Sequence, residues 1–270
     1  MRYAFFGTPK FAAIILEKLI AAKMPPALVI CNPDKPVGRK QVITPPPAKA
    51  MAQKHGIPVA QPDTLNTEVF KRLNMEELDF AIVAAYAKIL PLEILKLPRL
   101  GMVGVHPSLL PKYRGTTPIQ SAILAGEAET GTTLFLLDEK VDHGAILAQC
   151  VLQIANQDTY ETLLEKLANL SGELLVETLP KFAQGTIDLQ TQDENLATLT
   201  KKFKAEDGLV DLGKEDEATI EKKIRALNPE PGVYVIKDEK RVKILDAQTI
   251  QYEGGKPRKV KDSIEFLKSK

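Results

Sequence analysis

An α/β fold with a mostly parallel, Rossmann-like sheet and a small β-rich module after it is what this sequence predicts. Three observations lead there. Through the first half, short apolar runs alternate with helically spaced segments, the pattern of βαβ units. Two strand-like runs then follow each other with only a polar turn between them, which adds an antiparallel edge. A chain of 270 residues is also too long for one core of ordinary size, so one large and one small domain are expected.

The elements follow in order. Tyr3 to Phe6 reads as the first strand, and Phe11 to Ala22 as a helix with Phe11, Ile14, Ile15, Leu16 and Leu19 on its apolar face. Ala27 to Cys31 is a strand, Ala48 to His55 a helix, Val59-Ala60 a short strand and Val69 to Leu73 a helix. Phe80 to Ala85 and Met102 to His106 are apolar enough to be buried on both faces. Thr132 to Leu137 and Ala145 to Ile154 form the antiparallel edge. A long helix comes next: Asp158 with Glu161 resembles a capping box, Leu163, Leu164, Leu167, Leu170, Leu174, Leu175, Leu179 and Phe182 share a face, and Gly185 ends it. Beyond it the chain turns polar and loses its periodicity. The expected division is a first domain over 1–187, a linker over 188–203 and a β-rich module over 204–270. That module has a helical patch from Ala218 to Leu227, a turn at Asn228-Pro-Glu-Pro-Gly232, and strands from Val233 to Ile236 and Val242 to Ala247.

Composition narrows the function classes. With 44% hydrophobic and 26% charged residues the chain belongs with soluble globular proteins rather than disordered ones. A formal net charge of +1 gives no global attraction to nucleic acid or membrane, so any polyanion must meet a local patch. The C-terminal module is slightly basic, with 17 Lys and Arg against 14 Asp and Glu from Lys201 onward. Cys31 and Cys150 sit among apolar residues, outside any metal-ligand spacing, and read as core thiols in a reducing compartment. No signal peptide or membrane span is read, so a cytoplasmic protein, expected to be monomeric, follows.

Few residues carry candidate chemistry. Gly7-Thr8-Pro9 places a tight turn at the carboxyl end of a central strand, without the spaced glycines of a dinucleotide fingerprint. His106 ends an apolar strand, and Pro107 then forces the chain out of pairing. A histidine there faces the crevice of a doubly wound sheet, where it suits proton transfer or oxyanion stabilisation. Asp142 lies in the polar turn Leu137-Asp-Glu-Lys-Val-Asp-His-Gly144, from which a carboxylate can reach that imidazole. Asp138 and Glu139 read as solvated turn residues, and His143 is left open between the site and solvent. The segment from Asp34 to Pro45 is a long loop with Lys35, Arg39 and Lys40, either a phosphate-binding loop or an ordinary solvated one.

Taken together, Phe6-Gly-Thr-Pro9, Asp34-Lys-Pro-Val-Gly-Arg39 with Thr44-Pro45, Ala85-Tyr86 with Ile89-Leu-Pro91, His106-Pro-Ser-Leu-Leu-Pro-Lys-Tyr-Arg-Gly115, Glu129-Thr-Gly131 and Val141-Asp-His-Gly144 resemble the methionyl-tRNA formyltransferase family of folate-dependent formyltransferases. Arg225-Ala-Leu-Asn-Pro229 with Pro231-Gly232 resembles the start of that family's C-terminal OB-like barrel. The resemblance implies 10-formyltetrahydrofolate as donor, the α-amino group of methionyl-initiator tRNA as acceptor, and no metal. It implies that Ile89, Leu90 and Pro91 border the pteridine, and that Ser108, Leu109, Leu110 and Pro111 belong to the folate segment. His106 would hold the oxyanion, Asp142 would keep His106 oriented and charged and help remove the amine's proton through water, and Arg39, with Lys35 and Lys40, would meet the tRNA acceptor stem.

Two features depart from the family. Gly104 stands where the family has an asparagine whose amide bonds the formyl oxygen or the amine; loss of one such donor costs about 10²–10³ in rate. On the sequence alone, Gly104→Asn is therefore expected to raise the rate. The tail is also short, passing from Ala247 to Gly254-Gly-Lys-Pro-Arg258 and Ile264-Glu-Phe-Leu267, which implies a reduced barrel. Two other functions fit parts of the pattern: an N-formyltransferase acting on an amino-sugar nucleotide, and a folate- or tRNA-binding relative without turnover.

Overall fold

The computed structural model describes residues 1–38, 40–73 and 75–268. They form two compact units, one of Met1–Arg114, Gly131–Leu152 and Leu164–Thr198, the other of Gly115–Thr130, Gln153–Leu163 and Leu199–Lys270. In chain order the elements are β1 (Tyr3–Gly7), α1 (Lys10–Ala21), β2 (Leu28–Ile30), β3 (Lys35–Val37), β4 (Val42–Thr44), α2 (Pro47–Lys54), β5 (Val59–Ala60), α3 (Thr67–Arg72), β6 (Phe80–Ala84), α4 (Leu92–Leu95) and β7 (Met102–His106). There follow α5 (Pro118–Ala125), β8 (Glu129–Leu136), β9 (Ile146–Gln153), α6 (Tyr160–Ala183), α7 (Glu217–Leu227), β10 (Val233–Lys237), β11 (Lys240–Asp246), β12 (Thr249–Tyr252), β13 (Arg258–Lys259) and α8 (Ser263–Lys268).

The first unit is organised by a seven-stranded sheet in the order β5-β2-β1-β6-β7-β8-β9. β1 pairs parallel with both β2 and β6, β6 pairs parallel with β7, and β8 runs antiparallel to β7. The sequence explains why. All five residues of β1 and of β7 are buried, as expected of strands covered on both faces. Tyr3 and Phe80 stack with centroids 5.1 Å apart, and Phe6 meets Tyr86 edge-on at 5.3 Å. Each fully buried aromatic or aliphatic side chain here contributes about 1.5–3 kcal/mol relative to exposure. The strand order reverses between β1 and β6, so the crevice outside their carboxyl ends is where an open sheet of this kind takes its ligands.

Several details differ from the sequence reading. The 34–45 segment contains a hairpin, β3 paired with β4 from Lys35↔Thr44 to Val37↔Val42. The reciprocal bonds at the start of α6 join Thr159 and Thr162, and Asp158 instead accepts from Ala155 N and Thr162 Oγ1, so the helix is capped one residue later than Asp158 and Glu161 suggest. Cys31 is buried, but Cys150 is only partly so, because it lies on the edge strand β9. The segment read as a linker is tied to the sheet: Gln190 bridges Ile146 through two backbone bonds of 2.8 and 3.0 Å. Among the described residues no helix is long and apolar enough to cross a membrane.

The second unit packs α5 and α7 together with a four-stranded antiparallel sheet in the order β10-β11-β12-β13. Asp216 caps α7 by accepting from Thr219 N at 2.7 Å. After that helix Asn228 donates to Ile244 O and Leu245 O and accepts from Val233 N, which fixes the turn that launches β10. The outer edge of β10 is met by the chain at Leu209–Val210, with Val210 N donating to Tyr234 O at 2.9 Å.

Candidate active site

His106 stands at the carboxyl end of β7, and its side chain is only 6% exposed. Pro107 turns the chain away, and the loop that follows is pinned back on the sheet. Thr133, the β8 partner of His106, donates its hydroxyl to Ser108 O at 2.7 Å and accepts from Leu110 N at 3.1 Å. Gln149 of β9 adds a 2.8 Å bond to Leu110 O. Ser108 is fully buried and donates to Lys112 O at 2.6 Å. Ser108 thus holds the loop with its side chain and Leu110 with its backbone, the Leu110 side chain being buried, and Leu109 and Pro111 are partly open.

The loop then returns to the histidine. Tyr113 O lies 2.8 Å from His106 Nε2, and a carbonyl only accepts, so this nitrogen carries a hydrogen. The other ring nitrogen, Nδ1, faces Asp142 Oδ2 at 3.5 Å. That distance is long for a direct hydrogen bond.

Asp142 adopts φ +47°, and its turn is tightly held. A Cβ on Gly144 would fall 1.7 Å from Leu136 O, so only glycine lets the turn lie against β8. On the same turn His143 Nδ1 bonds Asp138 Oδ2 at 2.6 Å, and its Nε2 is 3.5 Å from Glu194 Oε1. Asp138 is therefore a partner of His143 rather than a free solvated carboxylate.

Gly104 is buried two residues before His106 and pairs across the sheet with Phe135. A Cβ built there would meet Phe135 Cε1 at 2.4 Å and Leu137 Cδ1 at 2.6 Å. The Phe135 ring fills the volume that a side chain at 104 would need. On this point the sequence expectation is corrected: an asparagine cannot simply be added.

The remaining expected residues come from other segments of the chain. Ile89 is 92% exposed and Pro91 is exposed, while Leu90 is half-buried against the core. Lys35 and Lys40 are exposed on the β3–β4 hairpin and the turn joining its strands; Arg39 lies outside the described residues. Near the hairpin's base, Lys49 Nζ contacts both Asp34 carboxylate oxygens and Gln61 Oε1 at 2.8 Å, and the hydrogen bonds to Asp34 from Lys49 and from Gln61 Nε2 hold its carboxyl below its ordinary value. Gln61 donates to Asn32 O at 2.7 Å. Burial pushes the Cys31 thiol up to about 11 and the Tyr86 phenol up to about 12. Asn32 Oδ1 and Tyr86 Oη are buried without a hydrogen-bond partner among the described residues. Sequence reasoning missed Tyr113, Arg114, Phe135 and Gln192; only Tyr113 and Arg114 had a signal, since they lie in the His106-to-Gly115 run.

Known proteins share this arrangement of sequence. The model of the formyl transferase family matches residues 1–179, and that of the formyl transferase C-terminal domain matches 202–264. Methionyl-tRNA formyltransferase of Chloroflexus aggregans is 42% identical over 248 residues, which cover 92% of this chain and 80% of that one. The chain belongs to the methionyl-tRNA formyltransferase family. Another member, from Staphylococcus epidermidis, is 42% identical over 254 residues, 94% of this chain and 81% of its own. Formyltransferase folds also match in three dimensions. A 4-N formyltransferase from Francisella tularensis superimposes over 90% of this chain and 96% of its own with a TM-score of 0.70 at 15% identity. HypX from Aquifex aeolicus, solved with tetrahydrofolic acid, matches over 92% of this chain and 38% of its own with a TM-score of 0.67 at 18% identity. Family membership makes this chain a one-carbon transferase of the folate-dependent type, built on the Rossmann-like sheet that the sequence predicts. Among the described residues no group of three His, Cys, Asp or Glu is placed to hold a metal ion.

Proposed function

We propose that this protein transfers a formyl group from 10-formyltetrahydrofolate to the α-amino group of methionyl-initiator tRNA. The observation that carries this is the facing of His106 and Asp142 at the mouth of the sheet, in a chain 42% identical over most of its length to enzymes of that name. The folate lies along the 107–111 loop, with the exposed Ile89 and its neighbours Leu90 and Pro91 against the pteridine. The tRNA acceptor end reaches the site past the hairpin with Lys35 and Lys40, and these cations, with that of Arg39, their neighbour in sequence, meet phosphates.

The working edge of His106 in this reading is Nδ1, which the bond between Nε2 and Tyr113 O supports. The amine attacks the formyl carbon, and the carbonyl electron pair moves onto oxygen. His106 acts here as the imidazolium, with a hydrogen on each ring nitrogen; its Nδ1–H holds that oxyanion, and Asp142 takes the proton that the amine nitrogen loses, through a water. Collapse re-forms the carbonyl, and N10 of tetrahydrofolate leaves with the bonding pair and takes up a proton. At Gly104 the site has no amide to add a second donor, so the expected rate is low by about 10²–10³.

Formylation assays with methionyl-tRNA and with an amino-sugar nucleotide test the assignment, alongside tetrahydrofolate binding. Transfer to methionyl-tRNA that is abolished by His106→Ala and Asp142→Ala supports it. Transfer only to the amino-sugar nucleotide, or tetrahydrofolate binding with no transfer at all, overturns it.

A further inference from the structure

We infer that Gln192, braced by Arg114, is a positioning residue for Asp142; this deepens the reading above and rests on it. The side chain of Gln192 is buried, and every hydrogen-bonding position on it is used. Its amide nitrogen donates to Asp142 O at 2.9 Å and to Gly144 O at 2.8 Å. Its oxygen accepts from Arg114 Nε at 3.1 Å and Nη2 at 2.7 Å. An amide has two N–H donors and one oxygen with two lone pairs, so this set is complete.

The two carbonyls that Gln192 grips flank the turn's tightest stretch. Asp142 itself has positive φ, His143 follows, and Gly144 lies against the β8 backbone. Without the amide, Asp142 O and Gly144 O lose their shared donor and the left-handed residue loses an external restraint. The bracing group is itself fixed. The Arg114 side chain is 6% exposed and bonds both carboxylate oxygens of Glu194, at 2.6 and 3.0 Å. Arg114 N also donates to Thr198 O, and Tyr113 N to Thr198 Oγ1.

The connection matters because Tyr113 and Arg114 are adjacent. Tyr113 O receives His106 Nε2, while Arg114 orients the glutamine that holds Asp142. One dipeptide therefore sets both members of the reacting pair, and Gln192 is the link to the carboxylate.

Gln192→Glu removes the donor half of the contact and keeps the acceptor half. A glutamate at 192 still accepts from Arg114 but cannot donate to Asp142 O or Gly144 O. Gln192→Leu removes both halves and leaves the Arg114 guanidinium short of partners, so it serves as the structural control. Three readouts are taken on the full chain: thermal unfolding, kcat and KM for methionyl-tRNA, and the ring-nitrogen NMR shifts of His106 at one pH. Gln192→Glu is expected to melt below the parent, since two buried carbonyls lose their donor, yet to stay folded at the assay temperature, to lose at least tenfold in kcat with KM changed less than twofold, and to give His106 shifts that move toward those of Asp142→Ala. Parental kcat and parental His106 shifts in Gln192→Glu overturn the inference, whatever happens to Gln192→Leu. If the parent transfers no formyl group, the functional reading fails on that measurement, and the NMR comparison still decides the role of Gln192.

Discussion

Placing asparagine at position 104 is expected to fail alone and to work only with a smaller residue at 135. A Cβ at 104 would sit 2.4 Å from one Phe135 ring carbon and 2.6 Å from another, with Leu137 Cδ1 also at 2.6 Å. Ordinary carbon contacts lie near 3.5–4.0 Å, so the ring would have to move by about an ångström in a packed layer that includes Leu110 and Ile146. Overpacking of this kind costs about 1–3 kcal/mol, or about 2–10 °C in melting temperature for a chain of this size. Gly104→Asn is therefore expected to melt lower and to gain no rate. Phe135→Ala opens a cavity at a cost of about 3–5 kcal/mol. Gly104→Asn/Phe135→Ala refills part of it, so the double variant should be more stable than Phe135→Ala and show strong coupling in a double-mutant cycle. With the amide then free to reach the reacting oxygen, single-turnover formyl transfer should rise about 10²-fold. A single variant with parental melting and a large gain in rate would refute the packing argument. A double variant that binds tetrahydrofolate but transfers no faster than the parent would refute the role given to an amide at 104.

Other outcomes follow from the same geometry. Tyr86→Phe removes a buried hydroxyl that has no partner among the described residues, and should raise stability by about 1 kcal/mol, seen as a melting temperature higher by about 2–4 °C; a lower one would show that the hydroxyl is satisfied. Gly144→Ala should push the Asp142 turn off β8 and lower kcat while tetrahydrofolate binding persists; parental kcat would show that the turn can shift without consequence. The hydrogen bond from Arg114 holds the Glu194 carboxyl below its ordinary value of 4.5, so the pair's contribution is present above the ordinary glutamate range and is lost as pH falls through the lowered folded value. Melting curves of the parent and Glu194→Gln should differ at neutral pH and converge in acid, the gap being modest because Glu194 is 58% exposed; a gap that widens in acid would reverse the sign.

Much of this was legible in the residues. The doubly buried strands announced themselves as apolar runs, and His106 was marked by its place between such a run and a proline. Asp142 was found because a polar turn between two strands has few places to go. Other features were hidden for physical reasons. Phe135 becomes relevant to Gly104 only through cross-strand register, and a sequence read along one dimension does not reveal that pairing. Gln192 lies in a polar stretch without periodicity, and its value comes from reaching carbonyls about fifty positions earlier in the chain. The β3–β4 hairpin carries exposed Val37, Val42 and Ile43 on strands of three residues, too short for alternation to show. The cap of α6 was misplaced by one residue because Asp158 and Thr159 are both good capping residues and only coordinates separate them.

The stretch holding Gln192, Glu194 and Thr198 falls between the two matched family regions, which end at 179 and begin at 202. Anyone trimming, fusing or swapping modules of this chain would naturally cut there, between the two matched regions. The hydrogen bonds that cross from this stretch to residues 111–114 and 142–144 make it the worst place for a cut. A fragment ending at 187 would keep His106 and Asp142 yet lose what aligns them, and grafted modules should carry the chain through Thr198.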